Sequence, residues 1–258
     1  MPEMTLPDNY TIHWQDMLAK LRALFLRREP NLAFVLGITG GVASGKTTFA
    51  EMLREKMTSW PEQPRVEIVS TDGFLFSNKV LAERQLSTRK GFPESYDVED
   101  LKRAIRALKQ KLPVKIPLYS HVTYDVDPTA FQEVSGAPIV VLDGLHLGRV
   151  RSDIEGRLID QLIYLDATEA DIQSWFGDRL FPLMVAGRTD PNSFYYAFRD
   201  LDDAAAHAFV SRVWAGINLP NLREHIVRDR EAADVVVHKA RDHGVDRVEW
   251  RAKASPSP

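Results

Sequence analysis

The 258-residue chain contains no cysteine. Disulfide bonds, thiolate nucleophiles and cysteine-ligated zinc sites are therefore excluded. Long apolar runs are also lacking, since the run Pro138 to Leu142 with its neighbours is far shorter than the roughly 20 residues that a membrane-spanning helix needs. The segment Met1 to Asn9 places acids and prolines ahead of any apolar stretch, which is the wrong order for a secretory signal. We therefore expect a soluble cytoplasmic protein with no membrane partner.

The sequence has no large excess of charge of either sign. Its 33 lysines and arginines face 36 aspartates and glutamates, which leaves a formal net charge of −3. Such a balance gives no general attraction to nucleic acid, and we expect no nucleic-acid partner. The length fits one large domain or two small ones. Because no shift in composition divides the chain, we predict a single domain with insertions.

The most informative segment follows the apolar run Ala33 to Ile38. It matches the pattern G-x-x-x-x-G-K-[ST] of a phosphate-binding loop, and a helix predicted over Lys46 to Met57 comes directly after it. In such a loop the backbone N–H groups surround phosphate oxygens, the lysine reaches the outer phosphates, and the final hydroxyl can ligate Mg²⁺. The segment therefore predicts a nucleoside triphosphate and Mg²⁺ as ligands. The predicted nucleotide-binding residues are Gly40, Gly41, Val42, Ala43, Ser44, Gly45, Lys46, Thr47 and Thr48.

Apolar runs and amphipathic segments alternate along the rest of the chain. Further strands are predicted over residues 66–70, 138–142, 161–165 and 234–238, with an edge strand or hairpin arm over 245–251. Helices are predicted over residues 10–28, 97–108, 149–159, 169–184, 200–217 and 219–227, and an irregular proline-rich insertion that covers a site over 113–128. This alternation predicts an α/β fold of the P-loop NTPase type, with a mostly parallel sheet and helices on both faces.

Three acidic residues stand at the carboxyl ends of predicted strands, where an open parallel sheet places its ligands. Asp166 precedes a helix and is interpreted as a structural turn or cap, which leaves two candidates. Asp143 closes the run Ile139 to Leu142, the position at which phosphate-loop enzymes hold an acid that orients Mg²⁺ or its water ligands. Asp72 follows the strand Val66 to Ser70 and could accept the proton of a hydroxyl that attacks the γ-phosphate. Each is followed by glycine, so an ordinary turn is the alternative. The nearby phosphate loop favours the functional interpretation.

A loop and a helix offer further candidates. Residues 117–125 contain the phenols of Tyr119 and Tyr124 and the imidazole of His121, which suit a small polar substrate, although an aromatic surface loop has the same spacing. Arg179 and Arg188 lie within and near the end of the helix after the fourth strand. An arginine brought over the nucleotide can neutralise charge on the transferred group, although most helical arginines are simply solvated.

The chain resembles the type I (prokaryotic) pantothenate kinases over nearly its whole length. The phosphate loop is shared with many unrelated proteins, whereas the strings Gly91 to Asp97 and Tyr119 to His121 are much more specific. The matching segments are Gly40 to Thr48, Ser70 to Phe74, Lys90 to Asp97, Tyr119 to His121 with Tyr124 and Asp125, Leu142 to Leu145, and Thr189 to Pro191.

The resemblance implies a homodimeric enzyme that uses ATP and Mg²⁺ to phosphorylate the primary hydroxyl of pantothenate, the first step toward coenzyme A. Asp72 is then the catalytic base, with Lys46 and Arg179 as catalytic cations, and the metal-binding residues are Thr47 and Asp143. The residues expected around the substrate are Asp72, Tyr119, His121, Tyr124, Phe176, Arg179 and Asn218. We predict a helical segment over residues 1–30 packed on the core, a P-loop kinase domain over 31–252 and a disordered tail over 253–258.

The chain also departs from the family at several positions. Phe176 stands where the family commonly has a tyrosine that contacts the substrate. Glu51 replaces an arginine that helps to hold coenzyme A as a feedback inhibitor, and an acid would repel the inhibitor's phosphates. Leu183 and Arg188 fall where the family often has phenylalanines around that inhibitor. These departures predict a kinase with weakened coenzyme A feedback.

Two other functions remain open at the level of sequence. One is a related P-loop kinase that acts on a nucleoside, glycerate or a sugar phosphate, because such kinases share the phosphate loop and the acid. The specific strings at Gly91 to Asp97 and Tyr119 to His121 disfavour it. The other is a nucleotide- or coenzyme-A-binding sensor without catalysis, which the presence of both Lys46 and Asp72 disfavours.

Overall fold

A six-stranded sheet forms the centre of the molecule in the computed structural model, which describes the backbone of residues 8–251 and the side chains of residues 14–251. The predicted tail over 253–258 lies outside the described residues. The strands are β1 Phe34–Gly40, β2 Val66–Ser70, β3 Val114–Ser120, β4 Asp125–Val134, β5 Ile139–Asp143, β6 Ser152–Asp153, β7 Gly156–Arg157, β8 Gln161–Asp166, β9 Val235–Lys239 and β10 Val245–Trp250. The sheet order is β10-β9-β8-β1-β5-β2, with only β10 antiparallel to its neighbour. The predicted fold class is confirmed.

The helices are α1 Asp8–Arg27, α2 Lys46–Thr58, α3 Asn78–Glu83, α4 Val98–Lys109, α5 Glu169–Gly187, α6 Asp203–Val213, α7 Leu219–Asn221 and α8 Val227–Ala232. The last three follow one another through two π-helical turns, Trp214–Asn218 and Leu222–Ile226, without a break in helical backbone. Pro220 has no N–H to donate, and the widened turns on either side accommodate it. The two separate helices predicted here are therefore one continuous helical rod. No helix within residues 8–251 is long and apolar enough to cross a membrane.

Each face of the sheet has its own hydrophobic core, because successive strand residues point to opposite faces. Leu36 packs in the cluster that contains Leu21 of α1 and Leu53 of α2. Val35, its neighbour in β1, packs in the cluster that contains Ile105 of α4 and Trp175 of α5. With both faces covered, the carboxyl ends of the strands are the part of the sheet at which a ligand can reach the backbone.

Two segments differ from the expectations drawn from sequence. The helix predicted over residues 149–159 is wrong, because only Leu147–Val150 forms a helical turn and β6 then pairs with β7 as a short hairpin. Asp153 accepts hydrogen bonds from the N–H groups of Glu155 and Gly156, and such local bonds compete with helix formation. The stretch predicted to be irregular over 113–128 instead belongs to the antiparallel hairpin of β3 and β4. A two-stranded hairpin has only edge strands, which tolerate its prolines.

Candidate active site

The phosphate-binding loop connects β1 to α2, and its lysine folds back over it. Lys46 Nζ donates hydrogen bonds to the carbonyl oxygens of Gly40 and Gly41, at 3.3 Å and 2.9 Å. Burial lowers the pKa of Lys46, while the nearby carboxylates of Asp143 and Asp72 act in the opposite direction. A triphosphate offers this ammonium a stronger, anionic acceptor than the two carbonyls. Lys46 therefore lies over the loop, and its contact with the outer phosphates stays a prediction.

Thr47 and Asp143, the two predicted metal-binding residues, lie in direct contact. Thr47 Oγ1 donates a hydrogen bond of 2.6 Å to Asp143 Oδ2. Asp143 ends β5 and is 7% exposed, between Ile38 of β1 and Ser70 of β2 in the sheet register. A hydroxyl and a carboxylate are oxygen donors of the kind that Mg²⁺ prefers, and Mg²⁺ typically completes its shell with phosphates and water. No larger cluster of potential metal ligands occurs among the described residues.

Asp72 lies in the helical turn Thr71–Phe74, directly after β2. Burial raises the pKa of this carboxyl, and Lys46 opposes the rise. The Tyr96 hydroxyl donates a hydrogen bond of 3.3 Å to Asp72 Oδ1. Because a base with a raised pKa accepts protons more readily at neutral pH, Asp72 is suited to take the proton of an alcohol.

The hairpin of β3 and β4 carries the aromatic loop to Asp72, and a glycine permits its approach. A Cβ atom on Gly73 would lie 1.8 Å from the carbonyl oxygen of Pro117, so only glycine fits where the hairpin crosses the turn. The ring of Tyr119 lies 5.2 Å from that of His121 and 6.0 Å from that of Tyr124. Burial and the nearby Asp72 carboxylate raise the pKa of the Tyr124 phenol. The structure thus brings the predicted base and the predicted substrate loop together.

A lysine whose role the sequence did not reveal clamps this loop. Lys90 Nζ donates hydrogen bonds to Asn78 Oδ1 at 2.6 Å and to the Tyr124 carbonyl oxygen at 2.5 Å. It also lies 4.5 Å from the centre of the Tyr124 ring. Burial lowers the pKa of Lys90 to about 8. Lys90 and Tyr96 both contact the site from the matching segment Lys90 to Asp97. The last residue of that segment, Asp97, caps α4 by accepting a hydrogen bond from the N–H of Asp100.

The two candidate arginines have different surroundings. Arg188 forms an ion pair of 2.8 Å with Asp203 and donates to the carbonyl oxygen of Leu201. Arg179 is exposed on α5, and among residues 14–251 it forms neither a hydrogen bond nor an ion pair. Burial and then the charge of Arg179 lower the pKa of His121, so Arg179 lies near the aromatic loop. Of the two, Arg179 is the one available to an anionic ligand.

The remaining predicted substrate residues lie on two helices, Phe176 on α5 and Asn218 on the helical rod. Phe176 is 7% exposed and packs on Trp214, with ring centres 5.9 Å apart. Asn218 lies at the end of the first π-helical turn, and its Nδ2 is 3.5 Å from the Val213 carbonyl oxygen. Turns of this kind occur frequently at functional sites. Their contact with a substrate remains a prediction.

A second lysine missed by the sequence reasoning borders the phosphate loop. Lys239 ends β9, and its Nζ donates a hydrogen bond of 2.8 Å to the carbonyl oxygen of Ser44. Its ammonium lies 5.5 Å from the centre of the Trp175 ring. Burial, together with the charge of Lys46, lowers the pKa of Lys239 to about 8. The rule that ligands bind at the carboxyl ends of strands points to this position, but the lysine has no motif around it.

Known proteins resemble the chain in sequence and in fold. The model of the phosphoribulokinase/uridine kinase family matches residues 35–174. The pantothenate kinase of Brucella ovis is 38% identical over 247 residues, which cover 92% of this chain and 77% of that protein. The pantothenate kinase of Mesorhizobium japonicum is 39% identical over 229 residues, which cover 84% and 71% of the two chains. Among solved structures, a D-glycerate 3-kinase from Cryptococcus neoformans superposes with a TM-score of 0.60 at 12% identity, covering 92% of this chain and 98% of that one.

Proposed function

Because the chain belongs to the phosphoribulokinase/uridine kinase family, and within it to the pantothenate kinases, we propose that it transfers the γ-phosphoryl group of ATP to the primary hydroxyl of pantothenate. The product is 4′-phosphopantothenate. The chain is accordingly a phosphotransferase with an alcohol acceptor. The observation that carries the choice of reaction is the position of Asp72, a half-buried carboxylate near both Lys46 and the loop with Tyr119 and Tyr124.

The residues present account for each part of the transfer. The acceptor oxygen forms a bond to the γ-phosphorus as the bond to the bridging oxygen of ADP breaks, and the hydroxyl proton passes to the Asp72 carboxylate. Lys46 and Arg179 stabilise negative charge on the transferred group. Mg²⁺, when bound by Thr47, Asp143 and the phosphates, would neutralise the phosphate oxygens. Tyr119, His121 and Tyr124 bind and orient the acceptor.

The test is ADP release with ATP, Mg²⁺ and one acceptor at a time from pantothenate, glycerate, uridine and ribulose 5-phosphate. We expect turnover with pantothenate, and a loss of roughly 10²- to 10⁴-fold in kcat for Asp72→Asn, since a general base typically contributes that much. Asp166→Asn is the matched control, because Asp166 also ends a strand but pairs with Arg230 and His238. Preferential turnover of another member of the panel would overturn the assignment of the acceptor.

We also propose that coenzyme A inhibits this enzyme only weakly. Glu51 is exposed on α2, one turn after Thr47, and forms an ion pair with Arg54. A carboxylate at this place repels the phosphates of an inhibitor that uses the same helix start, and the family arginine expected here would attract them. Leu183, 39% exposed on α5, offers no aromatic ring for stacking.

The test of weak feedback is turnover against rising coenzyme A for the native chain and for Glu51→Arg. We expect little inhibition of the native chain at low micromolar coenzyme A, and an inhibition constant roughly tenfold lower for the variant, because it exchanges a repulsive charge for an attractive one. Glu55→Arg, at an exposed position one turn further along α2, controls for the change in net charge. Strong inhibition of the native chain at low micromolar levels is incompatible with this proposal.

The assembly and location of the enzyme follow the same family comparison. We propose a homodimer in the cytoplasm, with Mg²⁺ as the metal that accompanies ATP and with no nucleic-acid or membrane partner. Sedimentation equilibrium would give the oligomeric state, and a monomer at micromolar concentration would contradict the homodimer. Activity with EDTA, followed by Mg²⁺ or Ca²⁺ alone, tests the choice of metal.

A further inference from the structure

A tyrosine outside the predicted site packs directly on the substrate loop. Tyr195 lies in the helical turn Phe194–Phe198 that follows α5, and it is 6% exposed. Its ring centre is 6.4 Å from that of Tyr124, while the ring of Phe194 stacks on Tyr124 at 4.8 Å. The Phe194 N–H donates a hydrogen bond of 2.7 Å to the Val122 carbonyl oxygen. The turn and the substrate loop therefore form one packed unit.

The position of Tyr195 is fixed from two sides. Its N–H donates to Ser193 Oγ, which caps the turn. A Cβ atom on Gly187, at the end of α5, would lie 2.5 Å from the Tyr195 Cβ, so the glycine permits α5 to pack against this tyrosine. A side chain that is held by its backbone and by a neighbouring helix presents its polar tip in one place.

The Tyr195 hydroxyl has no hydrogen-bond partner within the described part of the chain. Among residues 14–251 no hydrogen bond uses this hydroxyl, and its oxygen is not one of the unpartnered polar atoms that are sealed from solvent. Burial and the neighbouring Tyr124 raise the pKa of Tyr195 to about 12, while the charge of Arg179 opposes this rise. The hydroxyl thus lies near both Tyr124 and Arg179. Buried tyrosine hydroxyls usually find a hydrogen-bond partner, and this one must find it outside the described part of the protein.

A phenylalanine on α5, Phe176, stands near Arg179 without a hydroxyl group. Phe176 precedes Arg179 by three residues on α5, so the two side chains share a face of that helix. Its ring packs on Trp214 and has no polar atom to offer. In the resembling family this position commonly holds a tyrosine that contacts the substrate. The chain thus has a phenylalanine where a phenol is expected, and an unpaired phenol at Tyr195, which also lies near Arg179.

We propose that Tyr195 is a specificity-determining residue that donates a hydrogen bond to an oxygen of the acceptor substrate and supplies the phenol that Phe176 lacks. This inference rests on the proposed function, because the acceptor is the substrate named there. The proposed contact is to an oxygen other than that of the reacting hydroxyl, whose proton passes to Asp72. It therefore affects acceptor binding more than the chemical step.

The test is Tyr195→Phe, which removes one oxygen and keeps the buried ring. We expect KM for pantothenate to rise roughly three- to tenfold, the usual value of one neutral hydrogen bond, while kcat and KM for ATP stay within about twofold. Tyr196→Phe, at the neighbouring tyrosine that packs under Arg199 instead, is the matched control and leaves all three constants unchanged. An unchanged KM for pantothenate in Tyr195→Phe overturns the proposal.

A second variant separates a lost contact from a disturbed fold. In the double variant with Phe176→Tyr, a phenol returns at the position where the family commonly has it, and we expect at least half of the rise in KM to be recovered. A merely structural role of Tyr195 predicts no such rescue and a lower melting temperature for Tyr195→Phe. The acceptor panel of the native chain decides the proposed function by itself, and the Tyr195→Phe comparison is then made on whichever acceptor turns over.

Discussion

The nucleotide side and the acceptor side of the site are built in different ways. On the nucleotide side, β1, the phosphate loop and the start of α2 follow one another along the chain, and Asp143 of β5 and Lys239 of β9 join them from distant strands. On the acceptor side, Asp72, the hairpin of β3 and β4, Lys90 and the turn at Tyr195 come from separate segments that meet only through packing. A local motif fixes the first, while tertiary contacts fix the second.

This difference explains what could be predicted from sequence. The phosphate loop has fixed residue types at fixed spacing, because its backbone must surround phosphate oxygens, and the alternation of strands and helices gave the confirmed fold class. The hydrogen bonds of Lys90 and Lys239 to distant carbonyl oxygens leave no pattern in the sequence, since any long cation at the right point in space can make them. The family resemblance favoured the loop at Tyr119 and Arg179 over their structural alternatives, and it alone marked Asn218.

The structure also explains the errors in the predicted elements. The helical pattern over 149–159 did not reveal that Asp153 would hold a tight turn. Separate helices were predicted over 200–217 and 219–227, whereas the π-helical turns on either side of Pro220 preserve one rod. The prolines of the insertion suggested irregular structure, but a two-stranded hairpin has room for them because it has free edges. Local hydrogen bonds decided the first case, and the arrangement of the neighbouring backbone decided the other two.

The largest expected effect comes from breaking the nucleotide side at Lys46. Lys46→Ala removes the cation that reaches the outer phosphates, so kcat/KM should fall by roughly 10³-fold or more in a coupled ADP-release assay. The melting temperature should change little, because Lys46 donates only to two loop carbonyl oxygens. Lys56→Ala, at the exposed end of the same helix, is the control. Retention of a tenth of the activity would refute the assigned role.

One added methyl group at Gly73 should disturb the acceptor side of the site. Gly73→Ala places a Cβ atom against the Pro117 carbonyl oxygen, so the hairpin must shift away from Asp72. We expect a loss of about 1–3 kcal/mol in the free energy of unfolding, typical of overpacking, and a rise in KM for the acceptor with KM for ATP nearly unchanged. Gly177→Ala is the control, because a Cβ there meets nothing within 4 Å. Equal changes in the two KM values would show that the two sides are not separable.

The free energy of unfolding should depend on pH through Asp229, which bonds to β1 beneath the nucleotide side of the site. Asp229 is 2% exposed and accepts hydrogen bonds from Thr39 Oγ1 at 2.8 Å and from the Gly148 N–H at 3.2 Å. Burial raises its pKa from 3.8 to about 6. Between these values the folded state holds a proton that the unfolded state has lost, so this group lowers the free energy of unfolding by about 3 kcal/mol as pH rises from about 4 to about 6.

Chemical denaturation at pH 4 and pH 7 of the native chain and of Asp229→Asn tests this effect. The amide has no proton to lose, and the Thr39 hydroxyl can turn to accept from it, so the variant should lose most of the pH-dependent drop. Glu231→Gln, an exposed acid on the same helix, should behave as the native chain does. A parallel pH dependence in all three proteins would mean that Asp229 does not set it.

The smallest expected effect is a rise in the two KM values at high pH, which one lysine on each side of the site should cause. Lys90 beside the acceptor loop and Lys239 beside the phosphate loop both have a pKa lowered by burial to about 8. As pH rises through 8 each loses its charge, and with it the charged form of its hydrogen bonds. We expect KM for the acceptor and KM for ATP each to rise roughly fivefold between pH 7 and pH 9, since a charged donor is worth about 1 kcal/mol more than a neutral one.

Lys90→Met and Lys239→Met divide this pH dependence between the two substrates. Lys90→Met should have a raised KM for the acceptor already at pH 7 and no further rise toward pH 9, while its KM for ATP still varies as in the native chain. Lys239→Met should have a raised KM for ATP at pH 7 with no further rise toward pH 9, while its KM for the acceptor still varies as in the native chain. If either variant removed the pH dependence of both KM values, the two lysines would act on one coupled site. The nucleotide and acceptor sides would then be separate in structure but not in their effect on substrate binding.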